Sequence, residues 1–164
     1  CRTQIRGRKS RYDEGMSIPY KPWTRQDRDR MLAYLPIFED PSFIPATWVK
    51  YEPEMIDGRL VHRLPYPEYH EKVEEFRSLC FGSTCCIDPY GVLPEDPPGT
   101  EPGMNTTTVI TSVADISGAT LDQIRRYLVL CVRAERFCDG YIEGQLTLGK
   151  IQAALRRVAE LTNA

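Results

Sequence analysis

The sequence has no long hydrophobic run, no nucleotide-binding fingerprint and no secretory signal, and each absence removes a class of protein. Its 164 residues are 41% hydrophobic, but no apolar run approaches the roughly 18 consecutive residues that a membrane span requires. Residues 1–15 lack the apolar stretch of a signal peptide. We therefore expect a cytoplasmic protein with no membrane segment and no bound cofactor.

The cysteines do not follow the spacing of a zinc site or of a secreted disulfide framework. Zinc ligands usually come as two close pairs, whereas here Cys80 and Cys85 form one such spacing and no second pair follows. We expect all six thiols to be reduced, with no bound metal. Two alternatives stay open. One is a composite site that adds His70 and Cys138 to Cys80 and Cys85, and the other is a soft-metal or redox role for the vicinal Cys85 and Cys86.

Acidic charge is concentrated in the middle of the chain. Residues 39–101 carry thirteen acidic and five basic side chains, although the net charge of the whole chain is only −2. Such a segment repels nucleic acid and favours a protein partner, which we expect to bind there. Residues 1–15 carry five basic and two acidic side chains without apolar periodicity. We expect them to be a disordered extension of a single domain at 16–164.

The first half of the chain predicts helices and short strands separated by prolines. A helix is predicted from Thr24 to about residue 35, because Thr24 and Asp27 form a capping-box-like start. Short strands are predicted at 47–51 and 60–64, with the Asp57-Gly58 turn between them. Pro67 suits the first position of a second helix that reaches about residue 80 and ends at Gly82.

The second half predicts a long loop followed by helices. Residues 82–105 contain five prolines and predict an exposed loop, while 106–113 suits either a third strand or a helix start. Thr120 caps a largely buried helix, Asp139 is suited to cap a short one through about residue 148, and a last helix covers 150–161. The predicted fold class is α+β, a helix-dominated single domain with a small antiparallel sheet and a C-terminal helical hairpin.

The most information-rich segment is the polar junction between these C-terminal helices. Residues 133–140 read Arg-Ala-Glu-Arg-Phe-Cys-Asp-Gly. This resembles the Arg-x-Glu-Arg-Phe-x-Asp-Gly helix end of an uncharacterised bacterial family of unknown function, and segments 34–38 and 65–69 look like the same group. The resemblance covers 31–161. It implies a compact single domain of bacterial or phage origin in the cytoplasm, and it implies no activity.

Two functions are compatible with this junction. Arg133 and Arg136 could bind an anion, Glu135 and Asp139 could act as acid and base, and Cys138 could be a nucleophile. The alternative is structural, with these side chains forming ion pairs and a helix cap. We therefore keep two hypotheses: a regulatory or protein-interaction domain, and a small enzyme or binding protein for an anionic ligand. A pocket lined by the four charged residues favours the second, and their burial in mutual ion pairs favours the first.

Overall fold

Helices dominate the structure, a computed structural model that describes residues 23–84, 110 and 112–163. In this part of the chain the helices are α1 (Arg25–Leu32), α2 (Leu35–Phe38), α3 (Glu71–Thr84), α4 (Val113–Ser117), α5 (Leu121–Ala134), α6 (Tyr141–Thr147) and α7 (Lys150–Asn163). The strands are β1 (Ala46–Val49), β2 (Glu54–Ile56), β3 (Arg59–Val61) and β4 (Tyr66–Tyr69). The predicted helix-dominated α+β class, with small antiparallel sheets and C-terminal helices, is confirmed.

Several predictions fall outside the described residues. The extension at 1–15, most of the loop at 82–105 and most of the strand or helix start at 106–113 cannot be compared with the structure. The division into an extension and a single domain at 16–164 therefore stays a prediction.

The core is built from one face each of α3, α5 and α7. Side chains on these helices are spaced three or four positions apart, as an amphipathic helix requires. The buried members are Val73, Phe76, Leu79 and Cys80 on α3, Ile124, Tyr127, Leu128, Cys131 and Val132 on α5, and Ile151, Ala154, Leu155 and Val158 on α7. Each large apolar side chain buried in this way stabilises the fold by about 1.5–3 kcal/mol.

Helix starts that depend on local capping agree with the sequence prediction. Thr24 precedes α1 and forms a reciprocal capping box with Asp27, and Thr120 does the same with Gln123 before α5. In both cases a hydroxyl accepts a hydrogen bond from a backbone N–H that has no partner inside the helix. Gly149, between α6 and α7, has a φ of 69°, as expected of a residue that ends a helix.

The predicted start and end of the second helix were wrong. Pro67 lies in β4, and α3 begins at Glu71 and continues past Gly82. β4 pairs only with β1 in the described sheet, and an edge strand tolerates a proline because its missing N–H is not needed there. The imidazole Nδ1 of His70 instead accepts a hydrogen bond from the backbone N–H of Lys72 at the start of α3 (3.1 Å).

The strands form a long hairpin, residues 46–69, that we call the arm. The strands predicted at 47–51 and 60–64 overlap β1 and β3, which do not pair with each other: β1 pairs with β4 at the base of the arm, and β2 pairs with β3 at its tip. The Asp57-Gly58 turn is confirmed, with φ values of 51° and 75° as a two-residue hairpin turn requires. Four residues on each strand separate the two ladders, and each group of four contains one proline, which has no N–H to donate.

Candidate functional site

Glu135 organises the turn between α5 and α6, residues 135–140, which we call the corner. Its side chain is only 6% exposed. One carboxylate oxygen accepts a hydrogen bond from the backbone N–H of Gly140 and the other from that of Ile142, each at 2.9 Å. These N–H groups belong to the first turn of α6, where no intrahelical acceptor exists. The buried carboxylate therefore replaces the missing carbonyl groups and joins the end of α5 to the start of α6.

Asp139 does not have the capping role that the sequence predicted for it. The residue that precedes α6 is Gly140, with a φ of 81°, and no side chain at that position caps the helix. Asp139 is exposed, while Glu135 reaches back across the corner and occupies the capping position. The assignment was wrong because a carboxylate four residues earlier in the chain already satisfies the same N–H groups.

The base of the arm packs directly on the corner through Trp48. The indole Nε1–H donates a hydrogen bond to a carboxylate oxygen of Glu143 at 2.6 Å. The Trp48 ring also fills the space beside Gly140, since a Cβ atom at that glycine would lie 2.5 Å from the ring. Gly140 is therefore required twice, for its positive φ and for its missing side chain.

A second contact between arm and corner involves Tyr69, on the strand opposite Trp48. Burial raises the pKa of its hydroxyl well above the usual value, and the nearby Glu135 carboxylate raises it further. The Tyr69 hydroxyl is buried, and no acceptor or donor in the described part of the chain meets strict hydrogen-bond geometry with it. The guanidinium of Arg77 lies 5.2 Å from the centre of the Tyr69 ring, within the range of a cation–π interaction.

The four predicted site residues do not converge. Glu135 points inward to α6, while Arg136 is exposed and its guanidinium lies 5.0 Å from the centre of the Phe81 ring. Arg133 is half-buried and Asp139 is exposed. Neither of the two outcomes that would have separated the hypotheses is present: the four side chains line no common pocket among those described, and they form no ion pairs with one another.

A groove between α3 and α5 lies beside the corner. It has a volume of about 220 Å³ and is lined by Glu74, Arg77, Ser78, Phe81, Val132 and Arg136. Of the predicted site residues, Arg136 alone contributes to this lining. Sequence reasoning missed Arg77 and Phe81, and it missed Trp48 and Tyr69 at the arm base. These residues lie more than fifty positions from the corner in the chain, and nothing in the local pattern links them to it.

The thiols and imidazoles are dispersed among the described residues. Cys80 and Cys131 are buried in the core, and Cys138 is exposed at the corner. Across residues 23–84, 110 and 112–163, no group of three or more histidine, cysteine or acidic side chains is placed to hold a metal ion. The vicinal Cys85 and Cys86 lie outside the described residues, so their predicted alternatives are untested.

Within the described ranges, no helix combines the length and the apolar character that crossing a membrane demands.

Comparison with known proteins places the chain in a family. Residues 23–164 match the model of a family of unknown function, DUF6508. The chain belongs to this family. The predicted resemblance to a family of unknown function, given over 31–161, is thereby confirmed, and the match begins earlier, at Trp23. No curated protein and no solved structure matches the chain. Membership of DUF6508 therefore assigns no activity to the chain.

Proposed function

We propose that the protein is a protein-interaction domain that binds a partner protein through the tip of the arm. One observation carries the proposal: the side chains at the tip are apolar and face solvent. Met55 is 66% exposed, Leu60 is 56% exposed and Leu64, just beyond β3, is 86% exposed. Contiguous exposed apolar side chains of this kind mark interaction surfaces more often than isolated ones do.

The tip has little support from the rest of the domain. Met55 and Leu60 are direct cross-strand partners, so their side chains lie together on one face of the hairpin. The local contacts come from the arm itself: Arg63 forms an ion pair with Glu54 (3.1 Å) and lies 5.3 Å from the centre of the Tyr51 ring. A two-stranded hairpin alone is marginally stable in water. A partner that covers this face would stabilise it through apolar burial, at about 25 cal/mol per Å².

The tip of the arm indicates the chemistry of the partner. The arm lies within the acidic segment 39–101, but residues 46–69 themselves are nearly balanced in charge, with four acidic and three basic side chains. We infer that the partner is a protein with an apolar cleft for Met55 and Leu60.

We also propose that the protein works in the cytoplasm of a bacterium, or of a bacterium infected by a phage. The resemblance of the corner motif to a bacterial group supports the origin. Cys80 and Cys131 support a reducing compartment, because they serve as small apolar residues in the core. Finding these thiols oxidised in acid-quenched cells would contradict the location.

Site-specific crosslinking tests the arm as the docking element. A photoreactive amino acid replaces Met55 in one variant and Leu148 in a matched control, because Leu148 is 60% exposed but lies at the C-terminal end of α6 and not in the arm. We expect a crosslinked partner from position 55 and none from position 148. The partner is then purified and titrated with the full chain and with the variant Met55→Ser/Leu60→Ser.

The titration decides the outcome. Loss of the two apolar side chains should weaken binding at least about tenfold, since each buried apolar side chain contributes about 1.5–3 kcal/mol. Equal affinities of the wild-type chain and the double variant would overturn the proposal. Crosslinking of position 55 only to a second copy of the chain would also overturn it, in favour of a homodimer.

A further inference from the structure

Two guanidinium groups and an apolar floor meet in the groove between α3 and α5. We propose that this groove binds a small oxyanion, a carboxylate or a phosphate, between Arg77 and Arg136. The inference is independent of the arm as a docking element. The groove differs from the anion site that the sequence predicted at the junction. Of the four predicted residues, only Arg136 lines the groove.

Arg136 is available to a ligand and is held in a defined orientation. Its guanidinium stacks at 5.0 Å over the ring of Phe81, and in the described part of the chain it has no carboxylate at ion-pair distance. Stacking on a ring fixes the plane of a guanidinium and leaves its N–H edges free for a planar or tetrahedral oxyanion. Nearby carboxylates are engaged elsewhere, since Glu135 caps α6 and Glu143 accepts from Trp48.

Arg77 supplies the second positive charge. One terminal nitrogen of its guanidinium lies 2.6 Å from the Glu74 carboxylate, and the Tyr69 ring lies against the same group. Its Nε–H is buried and has no acceptor among the described residues. The guanidinium carries five N–H donors, so the ion pair with Glu74 leaves others unused. The groove lining therefore carries two guanidinium groups and one carboxylate.

The size and floor of the groove limit the ligand. A volume of about 220 Å³ accommodates a small molecule rather than a nucleotide, since pockets for drug-sized ligands are about 300–1,000 Å³. Phe81 and Val132 provide an apolar side for a short aliphatic chain, and Ser78 provides a hydroxyl. A short-chain carboxylate uses all of these groups, whereas inorganic phosphate uses only the polar ones.

A purely structural role for Arg136 predicts different behaviour. The last turn of α5 lies at this groove, so the negative end of its helix dipole lies close to the guanidinium of Arg136. If compensating this dipole is its whole role, removing Arg136 lowers stability, but the groove binds no anion. Binding and stability therefore have to be measured on the same variants.

The experiment titrates the full chain with inorganic phosphate and, separately, with butyrate at constant ionic strength. NMR follows the Nε–H signals of the arginine side chains. Arg136→Gln and Arg77→Gln remove the groove charges, and Arg156→Gln is the matched control, because Arg156 is an exposed arginine paired with Glu39 on another surface. Arg136→Lys keeps the charge and serves as the test if Arg136→Gln does not fold.

We expect saturable shifts of the Arg77 and Arg136 signals, with affinity at least about tenfold lower in Arg136→Gln and weakened in Arg136→Lys, because one lost charge-assisted hydrogen bond has this effect. Arg156→Gln should bind as the wild-type chain does. Stronger binding of butyrate assigns the site to carboxylates, and stronger binding of phosphate assigns it to phosphates. Linear, non-saturating shifts, or equal weakening in Arg156→Gln, would overturn the inference even where Arg136→Gln lowers stability.

Discussion

At the scale of single residues, the contact between Trp48 and Gly140 is a tight steric constraint. The indole ring lies where any other residue would place its Cβ atom, and the glycine has a φ of 81°. The same glycine donates its N–H to Glu135. One position thus fixes the corner, the start of α6 and the base of the arm.

Gly140→Ala should lower the free energy of unfolding by about 1–3 kcal/mol or more, because alanine is strained at this φ and its methyl group displaces the Trp48 ring. Gly144 is the matched control. It lies inside α6 with open space around the Cβ position, so Gly144→Ala should stabilise the domain by about 0.5–1 kcal/mol. Urea denaturation measures both changes. If both substitutions change the free energy of unfolding by a similarly small amount, the Trp48 ring can move away from position 140 at little cost, and the argument fails.

Residue patterns predicted those features that depend on near neighbours in the chain. Thr24 and Thr120 were recognised as helix caps because the capping box needs only three residues of sequence. Asp139 was misassigned because Glu135 competes for the same N–H groups and is favoured by its burial. The sequence shows that both carboxylates are present, but it does not show how the chain turns at the corner and therefore which carboxylate meets the N–H groups.

At the scale of elements, the arm shows where sequence reasoning fails. Its turn at Asp57-Gly58 was predicted, since positive φ values at two adjacent positions have a strong local signature. The pairing of β1 with β4 was not, because it joins residues up to twenty-three positions apart through backbone hydrogen bonds that leave no local pattern. Pro67 misled the prediction for the same reason: the first turn of a helix and an edge strand tolerate proline equally well.

The two parts of the arm should differ in stability. Trp48 and Tyr69 hold the base on the corner, whereas no described core residue lies at the tip. Amide hydrogen exchange should therefore be fast at β2 and β3 and slower at β1 and β4, because exposed ladders with few apolar contacts open with little free energy. The amides of α5, a largely buried helix, should exchange most slowly and serve as the reference. Equal protection of the amides at the tip and at the base would contradict this expectation.

At the scale of the whole molecule, the core is a set of helical faces that excludes water from two thiols. Burial raises the pKa of Cys131 to about 12 and that of Cys80 well above its ordinary value. The spacing of these cysteines on apolar helix faces was enough to predict their burial, since a free cysteine behaves as a small apolar residue.

Stability should fall in alkaline solution because of these thiols. The unfolded chain ionises Cys131 near its ordinary pKa of 9.0, whereas the folded chain does so near 12. The stabilising contribution is thus complete below pH 9.0 and is lost as the pH rises towards 12. Denaturation midpoints between about pH 8 and about pH 10.5 should fall more steeply for the wild-type chain than for Cys131→Ala. Cys138→Ala, which removes an exposed thiol, should follow the wild-type profile, and parallel profiles for all three would contradict the argument.

The equal number of residues between the two ladders of the arm limits how its length can change. Four residues on each strand separate the base from the tip. An insertion or deletion on one strand alone would slide the strands past each other, and a shift of one position moves every side chain to the opposite face. The tip ladder would then lose the register that the base ladder sets. The length of the arm can therefore change only through matched pairs of residues, with one added or removed on each strand. These changes would fall between the two ladders, after Val49 and before Tyr66.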